Sequence, residues 1–269
     1  VTVRDIAKLP YRKVSEQGYR VVDYHHIRPG AVLERAETQV VSFPCRKPQV
    51  RVGYITGTGD EMPEALRRLG LEPRFLERED LLFGDLSELD VIVTGVRAYK
   101  VRDDLKSAQA RLMAWAEEGG VLLVQYNKFE FNDGQEWSPF APFPETKVGS
   151  RRVTVENSPV TVNVPDHPVF QEPNRLGEPD WQGWVQERGL YFLDITDPRY
   201  RDLITLEDPW PYNRGPKGGA LVEAPVGNGR WVYVGVGLFR QLPAAVPGAY
   251  RLLSNLLGLG AHATADPIN

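Results

Sequence analysis

Val50-Arg51-Val52-Gly53-Tyr54-Ile55-Thr56, Asp90-Val91-Ile92-Val93-Thr94-Gly95 and Val121-Leu122-Leu123-Val124-Gln125-Tyr126 decide the fold. Each is a short run of β-branched and aliphatic residues without the polar alternation of a half-exposed strand. Such runs suit strands covered on both faces of a parallel sheet. After the first run, Met62, Leu66 and Leu69 recur at helical spacing; before the third, Leu105, Ala108, Leu112 and Trp115 do the same. Strand and helix therefore alternate, which predicts βαβ units with right-handed crossovers. Ligands of such sheets gather at the carboxyl ends of the strands. The positions of interest are then residues 56–60, residues 96–99 and Asn127.

Local signals refine this frame. Gly57-Thr58-Gly59-Asp60 closes the first strand, Asp60 is placed to cap the following helix, Pro63 falls where a missing N–H is harmless, and Gly70 stops the helix. A Gly-rich strand-to-helix turn can bind an anion with free N–H groups. This one lacks the phosphate-loop lysine and the full GxGxxG spacing, so it reads better as a structural turn than as a nucleotide site. Residues 73–77 predict another strand. Asp103 or Asp104 caps the next helix, which Gly119-Gly120 ends.

Beyond Tyr126 the pattern changes. Residues 127–152 carry Phe129, Phe131, Trp137, Phe140 and Phe143 with little periodicity, a length that suggests a lid or wall over the strand ends; packing of these rings onto the sheet is the alternative. Residues 152–164 alternate and predict a β-hairpin around Asn157-Ser158-Pro159, and residues 220–236 predict another around Asn228-Gly229. Residues 181–193 combine Trp181, Trp184, Glu187, Arg188 and Tyr191, a set that either cradles a sugar or forms an interior network. A final helix spans residues 249–257, and residues 260–269 are expected to fray.

The first 48 residues do not follow the βαβ pattern. Residues 14–27 and 38–43 read as extended, with Arg28-Pro29-Gly30 as the turn, so the segment is expected to be an arm that pairs with the sheet edge or ends a preceding domain. His25 and His26 would point to opposite faces of a strand and make a poor chelating pair. The expected organisation is an arm over 1–48, an α/β domain over 49–259 and a tail over 260–269.

Composition bounds the function. A net charge of −4 disfavours a general phosphate-backbone binder, so no nucleic-acid partner is expected. No apolar run reaches the roughly 18 residues of a membrane span. One cysteine, Cys45, rules out an internal disulfide and a Cys-based zinc site within one chain. It lies in Phe43-Pro44-Cys45-Arg46-Lys47-Pro48, where Arg46 and Lys47 would lower its pKa, although an ordinary linker thiol is the simpler reading. The chain opens on Val1, not Met, which reads as a fragment or a processed form.

Several long motifs resemble one family. Residues 53–66 (GYITGTGDEMPEAL), 93–99 (VTGVRAY), 125–127 (QYN), 184–191 (WVQERGLY) and 242–250 (LPAAVPGAY) are similar to the C-terminal region of bacterial PIG-L family deacetylases, over about residues 23–257. The resemblance implies an α/β, flavodoxin-like (class I glutamine amidotransferase-like) fold, a mostly parallel sheet with added β-hairpins and the N-terminal extended arm. It also implies proximity to N-acetyl-sugar hydrolysis and an exported or cell-envelope location. The family's zinc-binding His-Pro-Asp-Asp motif does not occur here; Asp166-His167-Pro168 has a different order. Amidotransferases of this fold place a nucleophilic Cys after the strand that corresponds to residues 121–126. Here that position is Asn127, which cannot act as an acyl-transfer nucleophile.

The expectation is accordingly a non-catalytic accessory or binding domain, without cofactor or metal, whose partners are glycan or peptidoglycan fragments, an upstream deacetylase domain or envelope proteins. Its ligand would meet Gly57, Thr58, Gly59, Asp60, Arg97, Tyr99, Gln125, Asn127 and Glu187, with Arg97 pairing a carboxylate and Tyr99 stacking on a sugar face. Two alternatives stand beside it: a hydrolase using Asp60, Glu187 or His167 as acid or base, and a purely structural packing domain.

Overall fold

The computed structural model describes residues 17–35 and 40–262. They fall into two units, parted between Ser42 and Phe43. In the first, strands Gln17–Val22 and Gly30–Arg35 form an antiparallel hairpin with Tyr19 opposite Leu33. The reversal falls at residues 24–27, where the Ile27 N–H donates to the Tyr24 carbonyl, immediately before the expected turn at Arg28-Pro29-Gly30. His25 and His26 therefore lie in a turn, not on a strand, with ring centroids 4.9 Å apart. Residues 40–43 of the expected second extended segment are not in a strand; residues 14–16, 38–39 and 263–269 lie outside the described residues.

The second unit is built on one seven-stranded sheet. In chain order its elements are β1 (Val52–Ile55), α1 (Met62–Arg68), β2 (Arg74–Phe75), α2 (Arg78–Phe83), β3 (Val91–Thr94), α3 (Asp103–Glu117), β4 (Val121–Gln125), β5 (Arg201–Asp202), β6 (Leu221–Val226), β7 (Gly229–Val234) and α4 (Pro247–His262). Across the sheet the order is β5-β6-β7-β4-β3-β1-β2. The block β2-β1-β3-β4-β7 is parallel throughout. That is the 2-1-3-4-5 order of doubly wound flavodoxin-like sheets, with β7 as the fifth strand. At one edge β6 pairs antiparallel to β7, and β5 pairs antiparallel to β6.

The three apolar runs become β1, β3 and β4, each buried at every position. Their side chains alternate between two cores. Tyr54, Val93 and Leu123 face α1 and α4, through Leu66, Leu253 and Leu256 among others. Ile55, Ile92, Leu122 and Val124 face α3, whose Leu105, Ala108, Leu112 and Trp115 form the predicted stripe. Each such fully buried aliphatic side chain contributes about 1.5–3 kcal/mol, so the parallel block is the most strongly held part of the chain. Helix α4 runs on to His262, well past the expected end at 257.

Two predicted hairpins fare differently. β6 and β7 pair as expected, with Val226 opposite Gly229; the turn is Gly227-Asn228, and Gly227 takes the left-handed φ of 55° that this position requires. The hairpin expected over 152–164 does not form. Arg152–Val153 pairs with Gly189–Leu190, and Val160–Val162 pairs with Ile204–Leu206. The cause is Asp208, a buried carboxylate that accepts the N–H groups of Thr154 and Val155 and the Ser158 hydroxyl. The Thr154 and Val155 N–H groups are then no longer available to a local ladder.

Candidate functional site

At the carboxyl ends of β1 and β3, where strand order reverses, the loops lock onto each other. The Cβ of an alanine at Gly57 would stand 2.1 Å from the Val96 carbonyl oxygen, and one at Gly95 would stand 2.5 Å from the Gly57 nitrogen. Thr58 donates its N–H to the Val96 carbonyl at 2.8 Å. Asp60 fixes the corner: Oδ2 accepts the Val96 N–H (2.7 Å), and Oδ1 accepts both the Met62 N–H (2.9 Å) and the Tyr54 hydroxyl (2.9 Å). Burial and the Asp60 charge push the Tyr54 phenol far above its ordinary value. The Thr58 N–H and hydroxyl and the Asp60 carboxylate are thus engaged within the fold. Gly59, exposed at its tip, has open space around its Cα.

Three other expected site residues are enclosed. Tyr99 is 1% exposed, packed between Phe131 and Phe140 at centroid distances of 5.0 and 4.6 Å, and its hydroxyl donates to Gln109 Oε1. A ring in that setting is core and has no face to offer a sugar. Gln125 donates to the Thr94 carbonyl and Asn127 to the Gln125 carbonyl, both buried. The Asn127 position after β4 therefore holds a carboxamide folded back onto its own strand, and its Oδ1 is buried without a hydrogen-bond partner.

Arg97 is half-buried and Glu187 is buried, but both are charged and ion-paired. Both reach a shelf at the β3, β4 and β7 ends, formed by residues 97, 126–130, 186–191 and 239–240. Arg97 makes a two-pronged ion pair with Glu130, 2.6 Å from Nε to Oε1 and 3.2 Å from Nη2 to Oε2. Glu187 pairs with Arg240 at 2.5 Å. Between these pairs stand aromatic rings: Tyr126 lies 5.7 Å from Tyr191 and 5.2 Å from Phe239, and Phe129 lies 5.5 Å from Tyr191. Lys128 sits 5.3 Å over the Tyr191 ring and Arg240 4.9 Å over Phe239.

The electrostatics of the shelf follow from this packing. Burial opposes ionisation of Glu130, but hydrogen bonds from Arg97 and from the Lys128 N–H outweigh it and hold the carboxyl below its usual range. Burial, with Tyr191 next, pushes the Tyr126 phenol up to about 12. Neither the Tyr126 nor the Tyr191 hydroxyl is hydrogen-bonded among the described residues.

Backbone strain marks the same place. Arg97 (φ 52°), Gln186 (φ 65°) and Tyr191 (φ 54°) are non-glycine residues in the left-handed region. Bulky residues pay sterically for that conformation and hold it where surrounding structure dictates it, often at binding sites. Sequence reading singled out Arg97 and Glu187 but missed Glu130, Tyr126 and Phe239 as their companions. Glu130 and Phe239 carried no signal, because only the fold brings residues 97, 130, 187 and 239 to one edge.

The other candidates fall away from the shelf. His167 is buried, with Nε2 2.8 Å from Glu223 Oε2 on β6 and Nδ1 accepting the Val169 N–H. Glu223 also binds Arg230 at 2.5 Å, closing an interior network. Cys45 is half-buried, and burial pushes its thiol up, overriding the lowering by Arg251 and reversing the expectation from Arg46 and Lys47. A shallow depression of about 440 Å³ beside Thr56 is lined by Glu77, Arg78, Arg102, Asp103 and Asp104, where Arg102 is tied to Asp104 and to the Leu76 carbonyl. No group of three or more His, Cys, Asp or Glu side chains that could hold a metal ion occurs among the described residues. No helix among them is long and apolar enough to cross a membrane.

The fold defines the class of protein: a mixed α/β domain on a mostly parallel sheet with added antiparallel pieces. No protein-family model and no curated protein matches the sequence. Among solved structures, a ThuA-like protein from Bacteroides uniformis superposes with a TM-score of 0.51 at 15% identity, over 82% of this chain and 95% of that one. A cytoplasmic protein from Salmonella typhimurium gives 0.49 at 12% identity, over 90% and 94%. A β-galactosidase from Rahnella sp. R3 gives 0.48 at 15% identity over 78% of this chain, which spans only 32% of that enzyme. At these identities the first likeness is one of fold, and the other two carry no argument.

Proposed function

We propose that the chain is a non-catalytic, class I glutamine amidotransferase-like domain that binds glycan at the β4/β7 shelf, in the service of a PIG-L type N-acetyl-sugar deacetylase at the cell envelope. The observation that carries the binding role is the convergence of three left-handed non-glycine residues, Arg97, Gln186 and Tyr191, around two unengaged tyrosine hydroxyls and two ion pairs. Tyr191 and Phe239 are half-buried rings with Lys128 and Arg240 over them, while Arg97 and Arg240 keep N–H groups beyond those given to Glu130 and Glu187 for hydroxyl, acetamido or carboxylate oxygens. Charged rims beside aromatic floors suit a ligand that is apolar on its ring faces and polar around its edge.

The non-catalytic part rests on Asn127, which is buried and cannot act as an acyl-transfer nucleophile. The candidate acids and bases are engaged structurally: Asp60 by three donors, Glu187 by Arg240 and His167 by Glu223. Glycoside hydrolysis also needs one protonated carboxyl, and Glu130 is held in the opposite state. Calorimetric titration with soluble peptidoglycan fragments and chitooligosaccharides tests the reading. The wild-type chain binds without turning them over, and Tyr191→Ala weakens binding by about tenfold. Absence of binding, or turnover abolished by Glu187→Gln, overturns it.

A further inference from the structure

A second pair of exposed aromatic rings lies in the loop Glu207-Asp208-Pro209-Trp210-Pro211-Tyr212-Asn213-Arg214-Gly215-Pro216, which contributes no residue to the shelf. Trp210 is 44% exposed and Tyr212 84%. Their rings are parallel to within 5°, with centroids 6.1 Å apart. Among the described residues from 130 to 262 these are the only large apolar side chains left exposed. Exposed single apolar residues need no explanation, but an aligned pair on a braced loop does.

The bracing is unusually complete. From one side, the buried Asp208 carboxylate accepts N–H groups from Thr154 and Val155, the Ser158 hydroxyl, and the Asn213 amide at 2.6 Å. From the other, the buried Lys217 ammonium donates to the carbonyls of Asn213 (2.6 Å), Gly215 (2.9 Å) and Arg214 (3.4 Å). The Asn213 amide also donates to the Arg152 carbonyl, and Glu207 accepts the Gly215 N–H. Three prolines fix φ between these anchors. The loop's Asp, Asn and Lys side chains thus face inward to hold it, and its two rings face outward. Little conformational entropy remains to be lost when a ligand settles on them.

We infer that Trp210 and Tyr212 form a stacking platform for the pyranose rings of a β-linked oligosaccharide. Such a sugar presents C–H groups on its ring faces and hydroxyls around its edge. It needs exposed, fixed aromatic rings on which those C–H groups can pack, and Trp210 and Tyr212 are both. A protein interface core would bring Leu, Ile, Val or Met neighbours, and the loop has none; its other apolar residues are prolines. A single-stranded nucleic acid would need a basic groove, whereas the chain is net acidic. The inference does not depend on the β4/β7 shelf.

The test is an NMR titration of the whole chain with chitopentaose and cellopentaose, following the Trp210 indole N–H resonance, assigned through Trp210→Phe. Either sugar is expected to shift that resonance in a saturable way. Tyr212→Ala weakens binding read from that resonance, and Trp210→Ala weakens binding read from the backbone amides of residues 207–216, each by about tenfold or more, with melting temperatures near wild type because both rings are exposed. Tyr191→Ala at the shelf leaves the Trp210 shift intact, so failure of one site is distinguishable from failure of the other. A Trp210 resonance unmoved by about 10 mM of either sugar, a range that covers millimolar affinities, overturns the platform. So does binding that survives both substitutions, or a shift that follows protein concentration instead of sugar.

Discussion

Two corners at the same edge of the sheet have opposite characters. At the β1/β3 corner, where doubly wound folds commonly bind ligands, Gly57, Thr58 and Asp60 engage Val96, Met62 and Tyr54, and the loops interlock through backbone. At the β4/β7 shelf the backbone is strained at Arg97, Gln186 and Tyr191, and two tyrosine hydroxyls have no partner among the described residues. A corner whose hydrogen bonds are satisfied internally is a lock. A corner that keeps strain and unengaged donors is a candidate for binding. The difference shows that polar residues at a fold's customary ligand position are informative only once their partners are known.

Substitutions should separate the two corners, the lock giving the largest effects. Gly57→Ala or Gly95→Ala forces a methyl into backbone atoms that cannot give way, and is expected to cost about 3 kcal/mol or more in urea unfolding. A cost below about 1 kcal/mol would mean the loops are looser than described. Asp60→Asn turns an amide donor toward the Val96 or Met62 N–H, and should cost about 1–3 kcal/mol with no selective loss of glycan binding. A selective loss of binding at unchanged stability would move the ligand to the lock.

At the shelf the expected effects are smaller and, in one case, of opposite sign. Gln186 is exposed and left-handed, so Gln186→Gly should stabilise the chain by up to about 1 kcal/mol, read as a raised midpoint of unfolding. Smallest of all is the acid dependence of Glu130. Its folded-state pKa is depressed, so its contribution is present above the unfolded carboxyl value of about 4.3 and is lost as pH falls through the lower folded value. The stability difference between wild type and Glu130→Gln should therefore shrink on acidification. A difference that grows toward low pH would contradict the ion pair with Arg97.

Much of the sheet was legible because its signal is local. β1, β3 and β4 are continuous apolar runs, and the α3 stripe falls at 3.6-residue spacing, so neither depends on a distant partner. The hairpin expected over 152–164 was misread because alternation shows which residues are extended but not what they pair with. Asp208, about fifty residues later, redirects that segment. Tyr99 was misassigned for a related reason. It follows a strand end, as a ligand-contacting residue would, but Phe131 and Phe140 fold over it from the next loop. Arg97 and Glu187 do reach the shelf, yet each is neutralised by a partner, Glu130 or Arg240, that no sequence spacing indicated.

The most direct test is a backbone amide chemical-shift map of the chain titrated with peptidoglycan fragments. Saturable changes at Arg97, Tyr126, Gln186 and Tyr191, with Gly57, Thr58 and Asp60 unmoved, are the predicted result. Changes centred on residues 57–60, with the shelf silent, would contradict the assignment of the ligand to the β4/β7 corner.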